Sequence, residues 1–156
     1  MFTIRKATPD DSSLIFDLIT QLAVYEKMEN DVVTTVEELR ENVFSRKYAE
    51  VIIAEEDGVP VGFALYFFNF STFVGKPGLY LEDLYVKPAH RGKGYGKKLF
   101  AELSKIAVSK NCGRMEWSVL DWNTPAIKFY ESLGAKPMDE WTVFRLGAKE
   151  IAHLAE

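Results

Sequence analysis

Arg91-Gly92-Lys93-Gly94-Tyr95-Gly96-Lys97 decides how this chain is read. Before it stands Leu79–Val86, an apolar run that reads as a strand. After it, Tyr95–Lys110 carries Leu99, Leu103, Ile106 and Ala107 at helical spacing. In such a frame, glycines let the backbone curl until several amide N–H groups face one point. The positive end of the helix lies behind them. Arg91, Lys93 and Lys97 add cations, and the whole suits a diphosphate or another polyanion. The loop is not a P-loop, because Gly96-Lys97-Lys98 lacks both the leading glycine and the hydroxyl residue. It is not a dinucleotide fingerprint either, because the third glycine falls one position early. The plain alternative is a flexible turn with a solvated basic patch.

Upstream, Phe2–Lys6 reads as a first strand. Pro9-Asp10-Asp11-Ser12 signals a helix start, and Leu14, Leu18 and Leu22 carry that helix to about Met28. Thr34-Thr35-Val36-Glu37-Glu38 offers two overlapping capping boxes for a second helix ending near Lys47. Val51–Ala54 and Val59–Phe70 flank Asp57-Gly58, a hairpin signal. Ser71–Gly78 reads as a loop. Downstream, Arg114–Leu120 reads as a strand and Asn123-Thr124-Pro125 as the start of a short helix. Gly134 is a left-handed cap candidate, Trp141–Leu146 a last strand and Ala148–Ala155 a closing helix. The order β-αα-β-β-β-α-β-α-β predicts a mixed sheet covered by helices, an α/β chain of the α+β mixed-sheet kind.

With 156 residues the chain suits one domain, residues 1–156, with enough apolar content to bury a full core. Nineteen Lys and Arg against 23 Asp and Glu leave a net charge of −4, which argues against nucleic acid or an anionic membrane as partner. No apolar run is long enough to span a bilayer, and the first residues contain no signal-peptide core. Cys112 stands alone, so neither an intramolecular disulfide nor a cysteine zinc site is expected, and a reducing cytoplasm is the simplest compartment. His90 and His153 read as surface or cap residues, and no metal is expected.

Arg91-x-x-Gly94-x-Gly96 after an apolar strand resembles the acetyl-coenzyme A diphosphate motif of the GCN5-related N-acetyltransferases (GNAT). Within that superfamily the chain is most similar to the diamine acetyltransferases, of spermidine/spermine and thialysine type. The likeness is carried by Leu22-Ala23-x-Tyr25-Glu26, Leu79-Tyr80-Leu81-Glu82-Asp83, and Trp122-Asn123 followed by Phe129-Tyr130. It implies the acyl-CoA N-acyltransferase fold, a central mixed sheet with a splayed strand pair flanked by helices. It implies acetyl-coenzyme A as co-substrate, held by Arg91, Gly92, Lys93, Gly94, Tyr95, Gly96 and Lys97 at the diphosphate. Leu84, Tyr85 and Val86 would pair with the pantetheine arm as with an added strand. Asn123, Thr124, Pro125 and Ala126 would line that arm.

A free alkyl amine has a pKa of about 10.4, so only about one molecule in 2,500 is neutral at pH 7, and neutralising it costs about 4.6 kcal/mol. Glu82 and Asp83 place two carboxylates in the middle of a strand, where alternation sends them to opposite faces. At least one should point into covered space, where it is either paired with a base such as Arg114 or Lys128 or put to use. A carboxylate there can attract an ammonium and accept its proton. The resemblance assigns that role to Glu82, acting through ordered water. Collapse of the tetrahedral intermediate expels a thiolate of pKa about 8.5, which a phenol of pKa about 10 can protonate. The resemblance assigns this to Tyr130; pattern alone leaves Tyr130 a core tyrosine and Asn123 a helix cap.

Tyr25, Glu26 and Glu29 end the first helix. They read as a solvated helix end; by resemblance, Tyr25 and Glu26 face the amine in an acceptor pocket shared with Glu82, Asp83, Glu116, Trp117, Ser118 and Glu140. Carboxylates and aromatics suit a cation. Polyamine-preferring members carry Asp and Trp where this chain has Ser71 and Phe73, which weakens the case for a long polyamine and makes a shorter diamine or a lysine-like amine at least as good a candidate. The resemblance further implies a homodimer, with C-terminal segments crossing between subunits. A protein acetyltransferase and a non-catalytic acetyl-coenzyme A sensor are the rival readings. The first predicts an open groove; the second would tolerate loss of Glu82 and Tyr130.

Overall fold

Asp57 and Gly58 take φ of 51° and 80°, the left-handed pair that a tight two-residue hairpin requires. They join β2 (Glu50–Glu56) to β3 (Val59–Ser71), which run antiparallel. A computed structural model describes residues 1–156. A second hairpin joins β3 to β4 (Lys76–Val86), where the Ser71 hydroxyl accepts the Val74 N–H at 3.2 Å. β1 (Phe2–Lys6) pairs antiparallel with β2, and β5 (Arg114–Glu116) pairs parallel with β4. The result is a five-stranded sheet in the order β1-β2-β3-β4-β5, mixed as predicted but one strand short of the six that the sequence suggests.

Side-chain alternation gives each face its own helix. Ile15, Leu18 and Leu22 of α1 (Ser12–Tyr25) share a core with Val51, Ile53, Phe63, Leu65 and Tyr85. α2 (Val36–Leu39) starts at Thr35, whose side chain accepts the Glu38 N–H, and continues as a π-helical turn, Arg40–Ser45, that adds Val43 to this core. Leu99 and Leu103 of α3 (Tyr95–Ser109) are fully buried. Burying each such leucine contributes about 1.5–3 kcal/mol.

The chain divides into two compact units, Met1–Ser118 and Val119–Glu156. The second holds α4 (Thr124–Ser132) and α5 (Ala148–Leu154). Asn123 caps α4 by accepting the Ala126 N–H. At its other end Gly134 takes φ 91°, and the Ala135 and Gly134 N–H groups close onto Tyr130 and Glu131 carbonyls, a left-handed Schellman stop.

Three expectations are corrected. α1 ends at Tyr25 rather than Met28, because Lys27 takes φ 60° and the Met28 N–H returns to the Ala23 carbonyl. Glu29 therefore sits on a separate 3-10 turn, Glu29–Asp31. β5 stops at Glu116 instead of Leu120, pairing only with Gly78–Tyr80; the register shift in β4 just beyond is the kind that bends a strand and ends its pairing. Trp141–Leu146 forms no strand. A strand needs a hydrogen-bonded neighbour, and this segment instead leaves Trp141, Val143 and Phe144 at 73%, 83% and 91% exposure.

Candidate active site

The β3–β4 register skips one residue: Leu65 opposes Asp83 and Tyr66 opposes Leu81, leaving Glu82 as the extra residue of a bulge. Simple alternation therefore does not apply to Glu82 and Asp83. Asp83 opposes Leu65, two places from Tyr85 opposite Phe63, and so lies on the α1 face of the sheet. It is half-buried, whereas Glu82 is exposed. Arg114 does not pair with either; its partner is Glu116 at 3.3 Å.

Burial, then the negative charges of Glu82 and Glu26, push the Asp83 carboxyl up to about 7. Glu26, the residue that caps the end of α1, is raised by burial and by the Glu82 charge. Three predicted site residues thus act on one another through the end of α1 and the middle of β4. A carboxyl that titrates near neutrality can take up and release a proton at working pH. The sequence reading gave Asp83 a binding role only. The signal was available in the crowding of three carboxylates into one predicted pocket, since like charges raise one another.

Next along β4 come Leu84, Tyr85 and Val86. Because β5 pairs no further than Tyr80, the β5 side of this segment has no strand partner, the arrangement that leaves backbone groups able to receive an extended ligand. The Tyr85 hydroxyl donates to Gln21 of α1 at 3.4 Å.

In the glycine loop, Gly92 and Gly94 take φ of 81° and 80°, which L side chains rarely adopt. Gly94 caps α3, so Tyr95, Gly96 and Lys97 form the helix's first turn, where N–H groups lack intrahelical partners. The cations are not equivalent. Arg91 Nε donates to the Val86 carbonyl at 2.9 Å, and its guanidinium lies 4.8 Å from the Tyr25 ring centre and 5.4 Å from that of Tyr85. Arg91 thus ties the loop to the end of β4 and to α1. Lys93 Nζ lies 3.1 Å from Glu56, and Lys97 is exposed.

The other predicted acceptor residues lie at the end of β5, just after it, and in the second unit. Trp117 packs edge-on against Phe100 with ring centres 4.9 Å apart, and Ser118 shares a hydrogen bond with the Tyr80 hydroxyl at 3.1 Å. Glu140 is exposed in a turn of the second unit. In that unit Tyr130 is half-buried on α4, its ring centre 5.7 Å from that of Phe129. Asn123 is buried with its side-chain oxygen engaged as a cap, Thr124 and Pro125 form the exposed first turn, and Ala126 is half-buried. Burial raises the Cys112 thiol, which leaves it a poor nucleophile.

Residues 16–135 match the sequence profile of the acetyltransferase (GNAT) family. The chain is 37% identical to thialysine N-epsilon-acetyltransferase of Bos taurus, over 97% of this chain and 96% of that one. It is 32% identical to L-ornithine N5-acetyltransferase NATA1 of Arabidopsis thaliana, over 92% and 83% of the two chains. Among solved structures, the integron cassette protein VCH_CASS6 from the mobile metagenome of V. cholerae superposes with a TM-score of 0.82 at 29% identity, covering 99% of this chain and 98% of that one.

Proposed function

Because the chain belongs to the acetyltransferase (GNAT) family and is an N-acetyltransferase of small amines, we propose that it moves acetyl from acetyl-coenzyme A to a short diamine or lysine-like amine by direct attack. The observation that carries the acceptor class is the unmatched acidic face: Asp83, Glu82 and Glu26 repel one another and await a cation. An ammonium entering there gains Coulomb attraction and gives up a proton to a carboxylate. Glu82 takes the proton, through water, beside the Asp83 carboxyl that burial and the neighbouring charges push up to about 7. Tyr25 and Glu26 hold the distal part of the acceptor, together with Glu116, Trp117 and Ser118 of the same unit. Ser71 spends its hydroxyl on a turn and supplies no carboxylate for a long polyamine.

The thioester arm lies along Leu84–Val86. Its diphosphate rests on the N–H groups of Gly92–Lys97. Acetyl-coenzyme A supplies an activated acyl carbon. Attack by the neutral amine forms the C–N bond; collapse breaks the C–S bond, the thiolate takes a proton from Tyr130, and the extra proton on the amide nitrogen leaves to restore the phenol. Residues 1–156 act as one acetyltransferase domain in a cytoplasmic homodimer. The exposed Trp141, Val143 and Phe144 support the dimer as the surface a second copy covers.

The test is release of free coenzyme A thiol across a panel of lysine, thialysine, ornithine, short diamines, spermidine and a lysine peptide. Turnover with short diamines or lysine-like amines is expected, and exclusive turnover of the peptide would sink the small-amine reading. Tyr130→Phe should lower kcat by about 10²–10⁴-fold; a near-normal kcat removes Tyr130 from the mechanism.

A further inference from the structure

Glu56 ends β2, immediately before the Asp57-Gly58 turn. Its half-buried carboxylate gathers the glycine loop from three places. One oxygen accepts hydrogen bonds from the Tyr95 hydroxyl and from Lys93 Nζ, the latter at 3.1 Å. The other lies 3.4 Å from Lys93 Nζ and 3.1 Å from His90 Nδ1. His90 closes the 3-10 turn before the loop (Pro88–His90), Lys93 lies within it, and Tyr95 opens α3. His90, expected as a surface or cap residue, closes its turn beside Glu56.

Apart from Arg91, which ties the start of the loop to β4 and α1, the glycines of the loop have little packed around them. No atom outside the immediate neighbours comes within 4 Å of where a Cβ would stand at Gly92 or Gly94. Glycine is also the residue that loses most conformational freedom when ordered. On the far side of Tyr95, packing completes the anchor: its ring is buried and stacks on Phe2 with centres 4.1 Å apart, and Lys98 Nζ lies 4.9 Å above Phe2. Since Tyr95 is the first residue of α3, holding its hydroxyl aims the amides that open the helix. A loop ordered in advance spares the ligand the entropy of ordering it.

We infer that Glu56 is a positioning residue for the co-substrate, a carboxylate strut from the β2–β3 hairpin that pre-forms the glycine loop to receive the diphosphate. This rests on the reading of that loop as the diphosphate seat. The hydrogen bond from Tyr95, then that from Lys93, hold the Glu56 carboxyl down at about 2, and Glu56 in turn raises the Tyr95 hydroxyl to about 12. The strut is therefore intact at any pH at which the enzyme works.

Steady-state kinetics on purified full-length Glu56→Ala, Glu56→Gln, Tyr95→Phe, Glu56→Ala/Tyr95→Phe and Gly94→Val tests the assignment, alongside calorimetric titration of each with acetyl-coenzyme A. Glu56→Ala should raise the acetyl-coenzyme A KM about tenfold, the scale of one charge-assisted hydrogen bond. Its kcat and amine KM should stay within twofold. Glu56→Gln, which still accepts from Tyr95, should fall between wild type and Glu56→Ala, and the double variant should be no worse than Glu56→Ala. A purely structural role would lower active enzyme, and with it kcat, without moving one KM alone. If Glu56→Ala melts below the assay temperature, Glu56→Gln and Tyr95→Phe carry the test through the same KM. Gly94→Val separates the two levels: tight acetyl-coenzyme A binding by this variant overturns the loop as diphosphate seat, and the strut with it. Lost binding in Gly94→Val beside a wild-type KM in the Glu56 variants overturns the strut alone.

Discussion

Glu56 and Asp83 are carboxylates in the same compact unit, and their surroundings drive them in opposite directions. Glu56 meets a phenol, an ammonium and an imidazole, and its carboxyl is held down at about 2. Asp83 meets burial and two further carboxylates, and its carboxyl is pushed up to about 7. The first has its counter-charges within the fold; the second has none. An internally satisfied carboxylate organises structure. An unsatisfied one, retained against its desolvation cost, is kept for a partner that arrives from outside.

The sharpest way to break this contrast is Glu82→Gln. If the unmatched face does the proton chemistry, kcat should fall by about 10²–10⁴-fold while the acetyl-coenzyme A KM stays put. A KM change at constant kcat would place Glu82 with the loop instead.

A smaller effect sharpens the contrast through stability. The Asp83 pKa in the folded chain, about 7, lies above its ordinary value of 3.8. Its contribution to stability is therefore complete below about pH 4 and lost as pH rises through 7, by on the order of 4 kcal/mol. The melting temperature of ligand-free protein should fall across that window. Asp83→Asn should flatten the slope, and a short diamine should restore stability at pH 8. An unchanged slope in Asp83→Asn would show that the carboxylate face is hydrated and unstrained.

The smallest effect has the opposite sign. Glu56 is depressed from 4.5 to about 2, so its contribution is present above 4.5 and lost as pH falls toward 2. Glu56→Gln should lower the melting temperature slightly at pH 6 and not at pH 2–3. Solvent screening keeps this difference small, and calorimetric scans at the two pH values measure it.

Much of this was legible in local sequence because local chemistry enforces it. Asp57-Gly58 makes its hairpin, Gly92 and Gly94 take left-handed φ, and Asn123 and Gly134 cap the two ends of α4. What stayed hidden depends on partners far along the chain. The α1 stop uses Lys27 in a conformation glycine usually marks. The bulge at Glu82 exists only in register with β3, and it removes the alternation on which the reading of Glu82 and Asp83 relied. Trp141–Leu146 has the composition of a strand but no neighbour to pair with. Glu56 lies 37 and 39 positions from Lys93 and Tyr95, so nothing in either segment announces the other.

The brevity of β5 has a cost outside catalysis. Past Tyr80, β4 runs on to Val86 with no strand on that flank, and an edge without a strand partner is a template for stray chains as much as for the thioester arm proposed to lie there. Loading with its carrier would thus also shield the protein from sticking to its own copies, and stocks kept without the carrier should cloud first.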